Sequence, residues 1–172
     1  MKPGTKELLE ALEAALKEDD GIGEMSVFTA KELDAPMDIL RAEISGFGPD
    51  LVSVLGEFFF IPFEDEETLY FSTVITLSST VPSEAVPDVM GAIARLNYYL
   101  PCGCFALGSE DKNLVYRHTA LIDAKDKKED QIKDIVRSSD IALGVAERFW
   151  ANLLSVIKNE ITVSEMMDSL LK

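Results

Sequence analysis

The residues with the most chemical potential in this chain are Cys102, Cys104 and His118, two cysteines and the single histidine among 172 residues. A thiol beside an imidazole is the pairing of a nucleophilic hydrolase, because the imidazole takes the thiol proton. All three positions fall within one hairpin unit, so closeness in space would follow from closeness in the chain. A histidine satisfied by a local hydrogen bond, with cysteines acting as small, half-buried hydrophobes, is the plainer reading. Zinc needs about four ligands, and a C-x-C pair with one histidine falls short. In a strand, positions 102 and 104 would point to the same face. A disulfide over so short a loop would be strained, so reduced thiols are expected, as in a reducing compartment.

Other chemistry is thinner. Glu64, Asp65, Glu66 and Glu67 form an acidic run, but the alternating ligands and glycine of a calcium loop are missing. A solvated hairpin tip accounts for it. No G-x-G-x-x-G or P-loop lysine pattern occurs, and Ser78-Ser79 lacks a nucleophile-elbow context. No catalytic residue, cofactor or metal ligand is therefore assigned, and the chain is expected not to be an enzyme. A small hydrolase or ligand-binding protein using Cys102, Cys104 or His118 is the alternative.

Binding chemistry is better represented. Phe58 and Phe60 lie in an almost continuously apolar run, Leu51 to Ile61. Tyr98 and Tyr99, after Asn97 at a helix end, would line a groove with Arg117. An Asn there serves the backbone first and recognition second. Trp150 and Phe149 sit on a helix stripe and belong to the core, becoming interface anchors if half exposed. Phe58, Phe60, Tyr98, Tyr99, Arg117 and Trp150 are thus the candidate partner-binding set.

The elements that must position these residues follow from periodicity. Thr5 caps a first helix with Leu8, Leu9, Leu12, Ala15 and Leu16 on one face. Asp19-Asp20-Gly21-Ile22-Gly23 ends it, with Gly21 the left-handed residue. Met25 to Phe28 reads as a short edge strand and Lys31 to Pro36 as a loop. Met37 to Ser45, Leu51 to Ile61 and Leu69 to Leu77 are strands with short connections, Gly46-Phe47-Gly48-Pro49-Asp50 being one, hence an antiparallel meander. The middle strand is either covered on both faces or shared between core and subunit interface, and Gly56 in it marks a bulge.

Val86, Val89, Met90, Ile93, Leu96 and Leu100 have helical spacing. That helix begins between Ser83, a capping residue, and Pro87, and stops at Pro101 and Gly103. Cys104 to Leu107 and Leu114 to Leu121 make a hairpin around a polar turn. Glu129 to Lys158 is one long helix. Gly144 inside it costs about 1 kcal/mol relative to alanine unless a neighbour packs closely. Thr162 or Ser164 caps a last helix carrying Met166, Met167, Leu170 and Leu171. The fold class is α+β, an antiparallel sheet of about five strands packed against helices. One domain over residues 1–172 is expected, with an N-terminal helix in 1–24, a core in 37–158 and a C-terminal helix in 162–172.

The formal net charge of −15 argues against nucleic acid, whose binding needs clustered Lys and Arg, and against anionic membrane. No run approaches the apolar length of a membrane helix, and the start is not an apolar signal segment. The cytoplasm is the expected compartment.

Ile93-Ala94-Arg95-Leu96-Asn97-Tyr98-Tyr99-Leu100, Gly103-Cys104-Phe105-Ala106-Leu107 and Leu114-Val115-Tyr116-Arg117 carry a resemblance. Together with the element order from Met37 to Lys158, they resemble YbjN-domain proteins and the type III secretion chaperone-like fold. The resemblance implies a bacterial protein, often dimeric, that binds other proteins. The expectation is therefore a homodimer with an unidentified protein partner, docking an extended or helical peptide on an apolar surface beside the sheet. A structural subunit of a larger complex is a third possibility.

Overall fold

The computed structural model describes residues 4–18, 21–48 and 50–170. Met1 to Pro3, the Asp19-Asp20 part of the helix stop, Pro49 of the turn cluster and Leu171 lie outside the described residues.

The elements run α1 (Thr5–Leu16), β1 (Ile22–Phe28), α2 (Ala30–Leu33), β2 (Ile39–Phe47), β3 (Val52–Ile61), β4 (Thr68–Ser78), α3 (Val86–Tyr99), β5 (Cys104–Leu107), β6 (Leu114–Asp123), α4 (Lys128–Ile157) and α5 (Val163–Leu170). The fold is α+β. Its six strands form one open antiparallel sheet in the order β1-β2-β3-β4-β6-β5. The short edge strand at Met25 to Phe28 is the sixth. It starts earlier, at Ile22, so Ile22 and Gly23 belong to it and not to a helix stop.

One side of the sheet makes the core. Leu40, Ala42, Ile44, Val54, Phe58, Phe60, Phe71, Ile75, Phe105, Leu114, Tyr116 and Ile122 are all buried on it. Helix α1 covers one half with Leu8, Leu9, Leu12 and Leu16, joined by Ile135 of α4. Over the other half, α3, α4 and α5 contribute Val89, Leu96, Ala146, Trp150, Leu153 and Met166. Each fully buried ring or branched side chain contributes roughly 2–3 kcal/mol.

Several local features differ from expectation. Gly4, not Thr5, occupies the N-cap of α1, and Thr5 is buried. The loop at Lys31 contains the one-turn α2, because Thr29 and Glu32 form a reciprocal capping box. Helix α3 starts at Val86, within the expected window from Ser83 to Pro87, but Ala85 and not Ser83 is its N-cap, with Pro87 in the first turn. Met90 is 57 % exposed although it sits on the apolar stripe. Ala92 is fully buried instead. Gly56 makes no bulge: the β2–β3 and β3–β4 registers run through it unbroken. A Cβ at that position would lie 2.8 Å from Cδ1 of Ile44 and 3.1 Å from the Phe58 ring. Glycine there makes room for two core side chains. Thr162 is the residue that caps α5, through Glu165.

Candidate functional site

Strand alternation decides which side each candidate faces. On β6, Tyr116 and Ile122 point to the helices, so Arg117, Thr119 and Leu121 point away from them. His118 is on the helix side, half-buried, and burial pushes its imidazole below the ordinary histidine range. Cys104 pairs with Arg117 in register and is exposed on the opposite side. The histidine and this thiol are therefore separated by the sheet itself.

Cys102 does not share a face with Cys104, contrary to the strand reading. Gly103 between them has φ of +64°, which breaks the alternation and turns Cys102 toward Tyr116. The Tyr116 hydroxyl donates to the Cys102 carbonyl at 3.0 Å and lies 3.9 Å from its sulfur. A Cβ on Gly103 would meet that hydroxyl at 2.2 Å and the Arg117 carbonyl at 2.6 Å. Glycine is required twice, by conformation and by space. Burial raises the Tyr116 phenol well above its usual range, so it stays a neutral structural donor. Among the described residues no hydrogen bond joins His118 to either sulfur, and no group of three or more His, Cys, Asp or Glu is placed to hold a metal ion.

The acidic run is used by its own turn. Asp65 accepts from the backbone N–H of Glu67 and Thr68 and from the Tyr70 hydroxyl. The Glu67 bond is the main reason its carboxyl is held low.

Asn97 serves the backbone, though not that of its own helix. Its side-chain N–H donates to the Phe105 carbonyl at 2.9 Å, and its oxygen accepts from the Phe105 N–H at 2.8 Å. One amide thus substitutes for a neighbouring strand along the outer edge of β5.

The binding candidates divide. Phe58 and Phe60 are 0 % and 6 % exposed and Trp150 is 3 % exposed, so all three rings lie in the core. In the alternating strand β3, Phe58, Phe60 and Val54 take the inward positions, while the outward ones are Leu55, Glu57, Phe59 and Ile61. Trp150 packs on Gly48, where a Cβ would fall 2.5 Å from the indole. Tyr98 and Tyr99 are exposed, 83 % and 58 %, and stack edge to face. With Ala94, Arg95 and Met167 they border a groove of about 450 Å³. Arg117 does not join them, because it projects from the sheet face that α3 does not touch.

The sequence pointed to that other face only on the middle strand, as a covered side or a subunit interface, and missed its extent over the neighbouring strands. Phe28, Ile39, Leu55, Phe59, Ile61, Tyr70, Val74, Val115 and Leu121 belong to neither buried cluster, and Leu55 and Leu121 are exposed. The signal was present as the apolar residues alternating with the core set on β3, β4 and β6.

A family model, YbjN, described as "Putative bacterial sensory transduction regulator", matches residues 56–149, more than half of the chain. The chain belongs to the YbjN family. The YbjN match begins within β3 and ends within α4, enclosing Asn97, Gly103, Tyr116 and the exposed tyrosines. The YbjN description names a regulatory role, not a catalysed reaction. No curated protein matches the chain. No helix among the described residues is long and apolar enough to cross a membrane.

Proposed function

We propose that this YbjN protein is a non-enzymatic regulator that acts by binding another protein, in a chaperone-like manner, and works as a homodimer. The observation that carries the reading is the outward side of α3. There Met90 and Tyr98 stand exposed, with Ala94 between them at four-residue spacing, and Arg95 and Tyr99 alongside. Tyr, Met and Arg are the side chains enriched in interface cores, because they bring large contact area with few rotamers or an adaptable charge. Adjacent stacked tyrosines gain nothing from standing in water unless something covers them. A helix or extended peptide with an apolar ridge fits the groove beside them.

The sheet separates His118 from Cys104, and no hydrogen bond joins His118 to Cys102 among the described residues, which favours the binding reading over the hydrolase alternative. The test is capture from the source organism using the full chain and a Tyr98→Ala, Tyr99→Ala double variant. The reading expects a protein retained by the wild type and lost, by at least about tenfold in affinity, from the variant. Equal retention by both, or retention by neither, would overturn it.

A further inference from the structure

The open side of the sheet is laid out in transverse rows. One row is Phe28, Ile39, Phe59, Ser72 and Thr119. The next is Ser26, Arg41, Glu57, Val74, Arg117 and Cys104, and beyond it lie Glu43, Leu55, Thr76, Val115 and Ala106. On the four central strands these rows, with Ile61, Tyr70 and Leu121, carry two arginines and two glutamates, which cancel; the carboxylates left over, Asp123 at the end of β6 and Glu24 on β1, lie at the margin of the face. The whole chain has a formal net charge of −15. Arg41 donates to Glu57 at 2.8 Å and lies over the Phe28 ring, so the middle of the face is neutralised internally. Glu43 and Arg117, on β2 and β6, are exposed and make no ion pair among the described residues.

We infer that a second copy of this chain covers this face, sheet against sheet, about a two-fold axis running along the strands between β3 and β4. The inference rests on the homodimer clause of the proposed function and assigns its surface. Three observations carry it. The first is area: strands spaced about 4.8 Å apart and rising about 3.3 Å per residue give this sheet a face of roughly 700 Å². That is close to the ~800 Å² per partner that a stable interface needs.

The second is charge. Two strongly acidic chains meet most readily where charge is balanced, and the centre of this face is balanced, with its surplus carboxylates at the rim. The axis also lays β6 of one copy over β2 of the other. Arg117 then enters the row of the already neutralised Arg41, with Glu43 one pleat repeat, about 7 Å, farther along the strand. That is within reach of an arginine side chain, and the symmetry makes the pairing twice. The third is that the sheet edges are unsuited to pairing. Asn97 occupies the Phe105 backbone groups on the β5 edge, β5 is four residues long, and β1 carries a register shift between Ile22 and Met25. Short, capped or irregular edges resist strand addition, which leaves the open face as the part of the sheet able to dock. Sheets so stacked pack about 10 Å apart with strands near 30°.

The experiment measures the self-association constant of the full chain by sedimentation equilibrium. The chains compared are wild type, Val74→Lys, Arg117→Glu and the double swap Glu43→Arg, Arg117→Glu, with circular dichroism to confirm folding. The expected results are a wild-type dimer, a monomeric Val74→Lys, self-association weakened about tenfold in Arg117→Glu, and recovery in the double swap. The tenfold figure is two exposed ion pairs lost at once. A dimer indifferent to both single changes overturns the face while the homodimer reading stands. A weakened Arg117→Glu that the second change does not rescue overturns the axis. A wild type monomeric at micromolar concentration overturns the inference and the homodimer clause together, and leaves the face to a different polypeptide. Because the exposed tyrosines are not altered, partner capture by these variants reports on the α3 reading separately.

Discussion

Asn97 and Gly103 show how much of this structure depends on single side chains with one permitted geometry. The Asn97 amide satisfies both backbone groups of Phe105, and only a side chain carrying a donor and an acceptor side by side can do so. Asn97→Asp keeps the acceptor but sets a carboxylate against the Phe105 carbonyl. We expect it to lower unfolding stability by about 1–3 kcal/mol, the cost of an unsatisfied, half-buried acceptor, measured as a shift in the urea midpoint. The effect should shrink at acid pH, where the protonated carboxyl donates again. The same scale explains what could be read before the fold was known. An Asn at a helix end was recognisable as serving backbone, because the residue type and position restrict it to that. Which backbone it serves depended on where β5 returns in space.

At the scale of elements, apolar spacing located every helix of more than one turn and the five strands β2 to β6, since 3.6- and 2-residue periods follow directly from backbone geometry. Of the edge strand β1 it predicted only the part from Met25 to Phe28. It did less well where two stripes compete for the same role. Met90 lies at helical spacing and yet faces solvent; on β3 the phenylalanines at 58 and 60 face inward while Phe59 faces out. A run apolar at successive positions has no contrast from which to read its inner side. Helix α4 supplies a test at this scale. Gly144 lies within its 30 residues, and a Cβ there would meet nothing within 4 Å. The close neighbour that would justify a mid-helix glycine is absent from the described residues. Gly144→Ala is therefore expected to stabilise the protein by about 0.5–1 kcal/mol, seen as a rise in the thermal midpoint. No change, or a fall, would mean that something packs on that side of α4.

For the whole molecule, the distribution of charge matters more than its sum. Ion pairs join separate elements at Lys128 with Glu7 and Lys158 with Asp50, yet both are exposed and each contributes little. The remaining acidity surrounds a sheet face that is neutral in its centre. If two copies meet there, their mutual repulsion is long-ranged while the contact is apolar. Raising ionic strength from about 0.05 M to about 0.5 M shortens the screening length several-fold. Self-association should then strengthen, the reverse of the behaviour of a complex held by opposite charges. Dilution series at the two salt concentrations would measure it.

What the chain determined by itself is local: the order and kind of its elements, the acidic character, the lack of a nucleotide or metal motif, and the motif residues around Asn97 and Gly103. These follow from backbone periodicity and from the few conformations open to Gly, Pro and Asn. Tertiary structure alone decided the rest. It put His118 and Cys104 on opposite sides of a sheet, sank Phe58, Phe60 and Trp150 into the core, and left a second apolar face uncovered. The physical reason is that helices carry their apolar stripes to only one side of a sheet, and which side that is depends on how separate segments close on one another in space, a choice no short stretch of residues contains.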